Sequence, residues 1–248
     1  MPAARQPAVA VMAKVPGMGP VKSRLHSVLT PSEATELYRC FLLDRLDALA
    51  ALRGVSPAVA FTPGEAVGRM AELAPPGFRL VPQRGADLGE RLSTLLRELL
   101  EDGHTGAIAI DSDSPTLPMA YVEEAARALS EARCDVVLGP CEDGGYYLVG
   151  LRAPQPDLFE AIPWSTDAVF SMTLAKASHR GLSVHVLPRW FDVDTEADLR
   201  RLHVELAAPD AGPVRTGAFV RQLYGAAAGA SPERARGIAP GRPRIKTV

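Results

Sequence analysis

The chain has 248 residues, of which 47% are hydrophobic and 23% charged, so its composition is that of a globular protein and wholesale disorder is excluded. Its formal net charge is −2, which argues against nucleic-acid binding, because that function usually requires a strongly basic domain. It has three cysteines and no C-x-x-C pair, so neither a disulfide framework nor a structural zinc site is expected. The apolar run at residues 8–13 is too short for a signal peptide or a membrane span. We therefore expect a soluble cytoplasmic protein that binds neither nucleic acid nor a membrane.

Short apolar runs typical of buried strands alternate along the chain with longer patterns typical of helices. The sequence predicts, in order, a strand at 8–13, a helix that starts with a capping box at 30–33 and extends to 49, and strands at 57–61 and 78–82. It then predicts a helix at 87–100, a strand at 106–110, a helix at 119–132, strands at 135–140 and 146–151, a helix at 166–180, a strand at 182–187 and a helix at 195–206. This alternation predicts an α/β protein with three αβα layers and a mostly parallel central sheet, and ligands are expected beyond the carboxyl ends of its strands.

The composition changes at about residue 207, where Ala, Gly, Pro and Arg become frequent. We therefore predict one folded domain over residues 1–207 and a C-terminal extension over 208–248. The extension is expected to be largely disordered, because too few large apolar residues remain to offset the entropy of ordering. Apolar residues at 219–224 are typical of one short helix that docks on the domain.

The loop after the first strand is rich in cations and glycine. It contains Lys14, Lys22 and Arg24 and no acid, and Gly17 and Gly19 let the backbone approach a ligand closely. Cations beside exposed amide groups suit a polyphosphate. The loop matches neither the Walker A pattern nor G-x-G-x-x-G, so an ordinary basic surface loop is an equally open interpretation.

Aspartates follow two of the predicted strands. Asp111 and Asp113 come directly after the strand at 106–110, and Asp194 follows the last strand. Residues two apart in an extended chain point to the same side, and carboxylates are ligands that Mg²⁺ or Mn²⁺ prefers when it bridges substrate phosphates. The alternatives are turn chemistry at 111–115 and a helix cap at Asp194, and we favour the metal interpretation.

Three further loops supply candidates. Asp143 precedes a double glycine that permits backbone contact with a ligand, although Asp-Gly is also a common turn signal. The loop at 83–91 combines cations with a predicted helix cap at Asp87, and the loop at 164–166 resembles a helix entry with an exposed ring. We find no G-x-S-x-G motif and no histidine or cysteine pattern that favours covalent catalysis.

Together these loops resemble a known family. The segments AKVPGMGPVKSRL, QRGADLGERL, DSDSPTL, LGPCEDGGYYLVGL, PWST and FDVDTEADL occur in the order found in the DUF2064 family, also described as glycosyltransferase-A-like or as arsenosugar-biosynthesis-associated glycosyltransferases. The resemblance covers roughly residues 8–206. The family commonly has Gly-Ser-Asp-x-Pro where this chain has Asp111-Ser112-Asp113, so Asp113 is the position that matches.

The resemblance implies the nucleotide-diphospho-sugar transferase fold, which is Rossmann-like and includes both sugar transferases and nucleotidyltransferases. Segment 22–25 is similar to that of phospholactate guanylyltransferases, and the corner at Asp194 resembles the one in cytidylyltransferases, where the aspartate binds magnesium. Carried over, Asp113 and Asp194 would hold Mg²⁺ or Mn²⁺, and the cations of the first loop would hold phosphates.

Our first hypothesis is therefore a metal-dependent glycosyltransferase that takes a nucleoside-diphosphate sugar and a small-molecule acceptor. The second is a nucleotidyltransferase, which would move a guanylyl or cytidylyl group from a nucleoside triphosphate to an anionic acceptor and release pyrophosphate. A non-catalytic nucleotide-binding protein is a third class, and a homodimer is possible.

The site residues of this interpretation fall into four groups by role. The catalytic candidates are Asp143, Lys22 and Arg24. The nucleotide-binding candidates are Lys14, Gly17, Lys22, Arg24, Gln83 and Asp87. The acceptor-binding candidates are Gly144, Gly145, Tyr147, Trp164, Ser165 and Thr166. The metal-binding candidates are Asp113, Asp194 and Asp111.

Overall fold

The computed structural model describes residues 6–207 and 212–228. The strands in this part of the chain are β1 (Ala8–Lys14), β2 (Ser56–Thr62), β3 (Arg79–Pro82), β4 (Ala107–Ile110), β5 (Val136–Pro140), β6 (Tyr146–Leu151) and β7 (Val184–Val186). The α-helices are α1 (Pro31–Ala51), α2 (Val67–Leu73), α3 (Leu88–Glu101), α4 (Met119–Ser130), α5 (Val169–His179), α6 (Glu196–Glu205) and α7 (Val214–Ala228). Short 3₁₀ helices cover Ser23–Ser27, Gly64–Ala66 and Pro156–Leu158.

The strands form one seven-stranded sheet in the order β3-β2-β1-β4-β6-β5-β7. Only β6 runs against its neighbours, because a short turn at residues 141–145 folds it back beside β5. Parallel pairing joins the other neighbouring strands, so their carboxyl ends, together with the β5–β6 turn, lie at one edge. The predicted fold class, a mostly parallel sheet with helices on both sides, is confirmed.

Side chains of successive strand residues point to opposite faces, and this alternation divides the core into two layers. On one face Val9 and Val11 of β1 pack in a cluster with buried residues of α1, α2 and α4. On the other face Ala8 and Ala10 pack in a cluster with leucines of α3 and with Ala177 of α5. Both faces are therefore covered by helices, which explains why the strands read as continuous apolar runs.

The helix α7 lies beyond the domain boundary that we placed at residue 207. The carboxylate of Asp44 on α1, which is 8% exposed, accepts hydrogen bonds from the backbone N–H groups of Arg215 (3.1 Å) and Thr216 (2.8 Å) in the first turn of α7. Val220 is buried in a cluster with residues of α1 and α6. The short docking helix expected at 219–224 is thus part of α7, and the disorder expected for the rest of the extension falls largely on residues 208–211 and 229–248, outside the described residues.

Two helices differ from the sequence predictions. The sequence did not predict α2, which is only seven residues long and, among its residues, buries only Met70. We expected α5 to begin at Thr166, but it begins at Val169, because the Thr166 hydroxyl instead donates to the carbonyl oxygen of Pro163 (2.7 Å) in the loop before the helix. In the described part of the chain, no helix combines the length and the apolarity needed to cross a bilayer.

Candidate active site

A cleft of about 560 Å³ opens at the edge of the sheet where the carboxyl ends of the parallel strands meet. The loops after β1, β3, β4, β5 and β7 contribute to its walls, as expected for a ligand site in an open α/β sheet. Most of the residues singled out from the sequence line it: Lys14, Lys22, Arg24, Gln83, Asp111, Asp113, Asp143, Gly145, Trp164, Ser165, Thr166 and Asp194.

Lys22 lies between two of the predicted metal ligands. Its Nζ is 2.7 Å from Oδ1 of Asp113 and 2.8 Å from Oδ1 of Asp194, and its side chain is 3% exposed. The backbone of Lys22 has a φ of 50°, a left-handed conformation at the start of the 3₁₀ helix at 23–27. Burial lowers the pKa of this amine, but the charges of Asp113 and Asp194 raise the pKa by more, so the amine stays protonated.

The cations of the first loop are not equally free to meet a phosphate. Burial raises the pKa of Asp194, but Lys22 and then Arg24 lower it by more, so Asp194 remains ionised and holds both cations. Arg24 is nevertheless 70% exposed, at 3.6 Å from Asp194. Lys14 is exposed and has no ion pair within the described residues. An anion that enters the cleft would therefore meet Lys14 and Arg24 before Lys22.

Tyr38 of α1 joins the first loop to the loop after β4. Its hydroxyl accepts from the backbone N–H of Lys14 (2.9 Å), donates to the carbonyl oxygen of Lys14 (3.2 Å) and lies 3.1 Å from Oγ of Ser112. Burial raises the pKa of Tyr38, and the negative charge of Asp113 adds to the increase. The hydroxyl therefore remains protonated and fixes the distance between the cationic and the acidic sides of the cleft.

Asp111 is held differently from Asp113. Its Oδ2 accepts a hydrogen bond from Ser114 (2.6 Å), and the buried guanidinium of Arg45 lies behind the same loop and donates to the carbonyl oxygens of Ser114 and Leu117. Burial raises the pKa of Asp111 to about 7, although Arg45 opposes this shift. Oδ1 of Asp111 is buried and has no hydrogen-bond partner among the described residues.

A second acidic group lies beside it. Burial raises the pKa of Asp192 to about 6, and Asp143 adds to the shift. Ligand atoms of Cys141, Asp143 and Asp192 lie within 4.8 Å of one another. Burial also raises the pKa of the Cys141 thiol, which disfavours the thiolate that would bind a metal.

The structure arranges the predicted metal ligands differently from our expectation. We expected Asp111, Asp113 and Asp194 to face a common cation, but the ammonium of Lys22 occupies the space between Asp113 and Asp194. The acidic side as a whole nevertheless fits a divalent cation, because Asp111 has a buried oxygen without a partner and Asp192 forms no direct ion pair among the described residues, although the charge of Lys22 acts on it.

Four of the predicted site residues are not among those that line the cleft, and each has another role. Tyr147 is 1% exposed and donates to the carbonyl oxygen of Pro188 (2.9 Å), whereas its neighbour Tyr146 lines the cleft. Asp87 caps α3 by accepting from the N–H of Glu90 (2.8 Å).

The other two are glycines. Gly144 has a φ of 91°, and a Cβ on this residue would lie 2.3 Å from the carbonyl oxygen of Asp167. Because glycine has no Cβ, the two loops can pack against each other here, and the space is filled by protein and not left for a ligand. Gly17 has a φ of 78° and belongs to a turn. A Cβ added to Gly17 would lie 3.5 Å from the side chain of Arg69.

The sequence did not identify several residues that line the cleft: Tyr38, Leu88, Tyr146 and Asp192. Asp192 had a signal, because it lies two residues before Asp194 in the segment FDVD. Tyr146 and Tyr147 are neighbours in β6, so their side chains point to opposite faces of the sheet. The sequence could have chosen between them only if it had shown which face of β6 meets the ligand.

Comparison with known proteins shows the family. The family model described as "Uncharacterized protein conserved in bacteria (DUF2064)" matches residues 45–166. A protein from Desulfovibrio desulfuricans G20, described as a candidate nucleotide-diphospho-sugar transferase, is similar with a TM-score of 0.83 and 32% identity, over 90% of this chain and 96% of that chain. No curated protein matches this chain.

Two further solved structures share the fold at much lower identity. CMP:2-keto-3-deoxy-manno-octonic acid synthetase complexed with CTP has a TM-score of 0.51 and 13% identity, over 79% of this chain and 96% of that chain. A cytidylyltransferase from Leptospira borgpetersenii serovar Hardjo-bovis (strain JB197) has a TM-score of 0.51 and 11% identity, over 91% and 96%. Because of its 32% identity to the Desulfovibrio protein and its match to the DUF2064 model, this chain belongs to the DUF2064 family and has the nucleotide-diphospho-sugar transferase fold.

Proposed function

We propose that this protein is a metal-dependent glycosyltransferase that uses a nucleoside-diphosphate sugar and a small-molecule acceptor. The observation that carries the proposal is the cleft in which the cations of one loop face the aspartates of two others, at the edge where α/β sheets bind nucleotides. The description of the Desulfovibrio protein as a candidate nucleotide-diphospho-sugar transferase supports the same activity.

The cationic loop would bind the donor. Lys14 and Arg24 reach solvent and can donate to phosphate oxygens, and Lys22 lies behind them with its charge stabilised by two carboxylates. In the transfer, the bond between the anomeric carbon and the diphosphate oxygen breaks, and a bond from that carbon to the acceptor oxygen forms. The nucleoside diphosphate leaves with the electron pair, so these cations would stabilise the charge that develops on it.

Asp143 would accept the proton of the acceptor hydroxyl. It is exposed in the cleft, and its Oδ1 accepts a hydrogen bond from the N–H of Gly145 (2.8 Å), which fixes the carboxylate in the β5–β6 turn. Its second oxygen is then available to a bound hydroxyl group. The proton would pass to Asp143 as the new glycosidic bond forms.

A divalent cation would be held by Asp113 and Asp194, with Asp111 and Asp192 adding negative charge near them. When bound, Mg²⁺ or Mn²⁺ supplies Lewis-acid stabilisation of the diphosphate leaving group.

The number of cations favours a second candidate function, nucleotidyl transfer. Three cations in one loop are more than a diphosphate needs and would also suit a nucleoside triphosphate. In that reaction an anionic acceptor attacks the α-phosphorus and pyrophosphate leaves.

A thermal-shift panel tests the proposal. We expect a nucleoside-diphosphate sugar with Mg²⁺ to raise the Tm, because a ligand at 100 times its Kd stabilises the folded state by about 2.7 kcal/mol. Asp113→Asn should abolish the part of the shift that needs metal, and Asp167→Asn, a change at an exposed residue that does not line the cleft, should preserve it.

Two outcomes would contradict the proposal. If no nucleotide raises the Tm with or without metal, the protein does not use a nucleotide donor. If nucleoside triphosphates stabilise the protein and pyrophosphate appears with an anionic acceptor, the nucleotidyltransferase is correct and the sugar transferase is not.

A further inference from the structure

One wall of the cleft is apolar and belongs to neither the cationic loop nor the acidic loops. Leu88, Tyr146 and Trp164 line it, and Leu88 is 43% exposed although it is a large aliphatic residue. Tyr146 and Trp164 pack against the core layer that contains α3, whereas Lys22 lies 5.8 Å from the ring of Phe41, which belongs to a separate cluster formed by α1, α6 and α7. The apolar wall and the buried ammonium of Lys22 therefore lie against different clusters of the core.

The indole of Trp164 is fixed in this wall by a glycine of α3. A Cβ at Gly89 would lie 2.8 Å from both Cζ2 and Nε1 of Trp164 and 2.7 Å from the carbonyl oxygen of Phe159, so the ring lies directly on the helix. The Tyr146 ring meets it edge-on, with centroids 6.3 Å apart and planes at 89°.

Arg91 adds a cation at the same wall. Its Nε donates to the carbonyl oxygen of Gly85 (3.1 Å), which anchors the guanidinium on the loop after β3. The adjacent Glu90 forms no ion pair with Arg91 among the described residues; its carboxylate is turned to the loop, where it accepts from the N–H of Ala86 (2.8 Å). Within the described chain no carboxylate forms an ion pair with Arg91, whereas Arg84 on the same loop pairs with Glu98 at 2.7 Å.

We propose that this wall binds the acceptor, and that the acceptor is a small molecule with an apolar body and an oxyanion, either a carboxylate or a phosphate. Arg91 binds the oxyanion through those N–H groups of its guanidinium that do not donate to Gly85. The apolar body packs on the face of the Trp164 ring, beside Leu88. Because no described carboxylate forms an ion pair with Arg91, an anion satisfies its charge better than a neutral hydroxyl group does. This inference rests on the proposed function, in which the cations of the first loop bind the donor.

The chain offers its own reporter, because its two tryptophans are Trp164 and Trp190. In the Trp190→Phe protein the fluorescence comes from Trp164 alone. We would titrate this protein with hydrocinnamate, with phenyl phosphate and with neutral 3-phenylpropanol. We expect both anions to change the fluorescence at concentrations about tenfold lower than the alcohol, the ratio that one charge-assisted hydrogen bond provides.

Three substitutions locate the anion. Arg91→Gln should remove the advantage of the anions and leave the response to the alcohol unchanged. Arg84→Gln, the matched control in the loop that precedes α3, should retain the advantage. Lys14→Gln should also retain it, and its loss there would place the anion in the phosphate-binding loop and overturn the proposal.

The Trp190→Phe substitution could itself disturb folding. The same ligands are therefore also titrated against the protein that retains both tryptophans, with the Tm as the readout. Equal responses to anions and alcohol, or an unchanged anion response in Arg91→Gln, would contradict the proposal. Nucleotides are run in parallel on every variant: an anion site that responds while no nucleotide raises the Tm would refute the proposed function and leave the anion site standing.

Discussion

At the scale of single residues, Lys22 decides the electrostatics of the cleft. Its ammonium is 2.7–2.8 Å from two aspartates that any divalent cation would also seek. A metal ion and the ammonium compete for the same carboxylate oxygens, so Lys22 must release at least one of them when a metal binds between the two. Once released, the amine is available to phosphate oxygens.

The competition predicts a gain of metal affinity on removal of the amine. Lys22→Met should tighten Mn²⁺ binding by about tenfold, because a charge-assisted hydrogen bond of about 1.5 kcal/mol no longer opposes the metal. Electron paramagnetic resonance titration of free Mn²⁺ measures this affinity without an assay of activity. Lys14→Met is the matched control, since Lys14 has no ion pair in the described chain. Equal Mn²⁺ affinity in the Lys22→Met and parent proteins would show that the metal binds elsewhere.

Asp135 is a second residue whose environment sets a measurable property. Its carboxylate accepts from the N–H (3.0 Å) and the hydroxyl (2.6 Å) of Ser183 and from Arg152 (2.6 Å), and so ties the start of β5 to the chain entering β7. The hydrogen bond from the Ser183 hydroxyl, followed by that from Arg152, lowers the pKa of Asp135 to about 2.

A lowered folded-state pKa gives a definite pH dependence. The carboxylate stabilises the protein above its unfolded-state pKa of about 3.9, and this contribution disappears as the pH falls toward 2. Asp135→Asn should therefore lower the free energy of unfolding by about 1 kcal/mol at pH 7, a value that allows for solvent screening, and by almost nothing near pH 2. Urea unfolding of both proteins across this range measures the difference. A difference that does not change with pH would mean that the charge is unimportant.

At the scale of secondary structure elements, α7 lies after the domain boundary that we predicted at residue 207, yet it packs on the domain. Its first turn is held by a single carboxylate, that of Asp44, which also pairs with Arg215 at 3.2 Å. The neighbouring Asp47 pairs with the same arginine at 2.6 Å but is 53% exposed. Two acids of one helix thus meet one cation in very different surroundings.

This difference predicts unequal effects of two similar substitutions. Asp44→Ala should lower the free energy of unfolding by about 2–3 kcal/mol, because it leaves two N–H groups of the first turn without an acceptor. Asp47→Ala should change it by at most about 0.5 kcal/mol, as expected for an exposed ion pair. Urea unfolding compares the two variants. If Asp44→Ala lowers the free energy of unfolding as little as Asp47→Ala does, the hydrogen bonds from α7 to Asp44 contribute little to the stability of the domain.

At the scale of the whole molecule, the position of the cleft follows from topology. Six strands run in one direction, and β6 returns against them through a short turn, so five loops that carry charged or polar residues meet at one edge. The aromatic wall of the cleft packs on the layer that contains α3, whereas Lys22 lies against Phe41 in the cluster formed by α1, α6 and α7.

The separation of the two sides predicts independent binding of their ligands. Arg91→Gln should leave the nucleotide-induced rise in Tm within the error of the measurement, while Arg24→Gln, at the exposed cation of the first loop, should reduce it. A thermal-shift titration with one nucleotide tests both. A comparable loss in the two variants would mean that donor and acceptor subsites overlap.

The sequence by itself determined the succession of strands and helices along the chain except for α2, the α/β class and the loops that form the cleft. Apolar periodicity and helix caps are local properties, so the capping box at Thr30 and Glu33 could be found without a structure. The family motifs, which are also local, indicated the fold.

Only the tertiary structure decided what each charged or aromatic residue faces. The sequence predicted Lys22 for phosphate and Asp113 for metal, and folding brings them into contact because loops from different strands converge at one edge. It also decided that Tyr146 faces the cleft and Tyr147 the core, a choice that depends on which face of β6 meets the ligand. Composition and spacing fix which groups are present in a loop, but the charge that a ligand meets depends on distances across the fold, which no single loop contains.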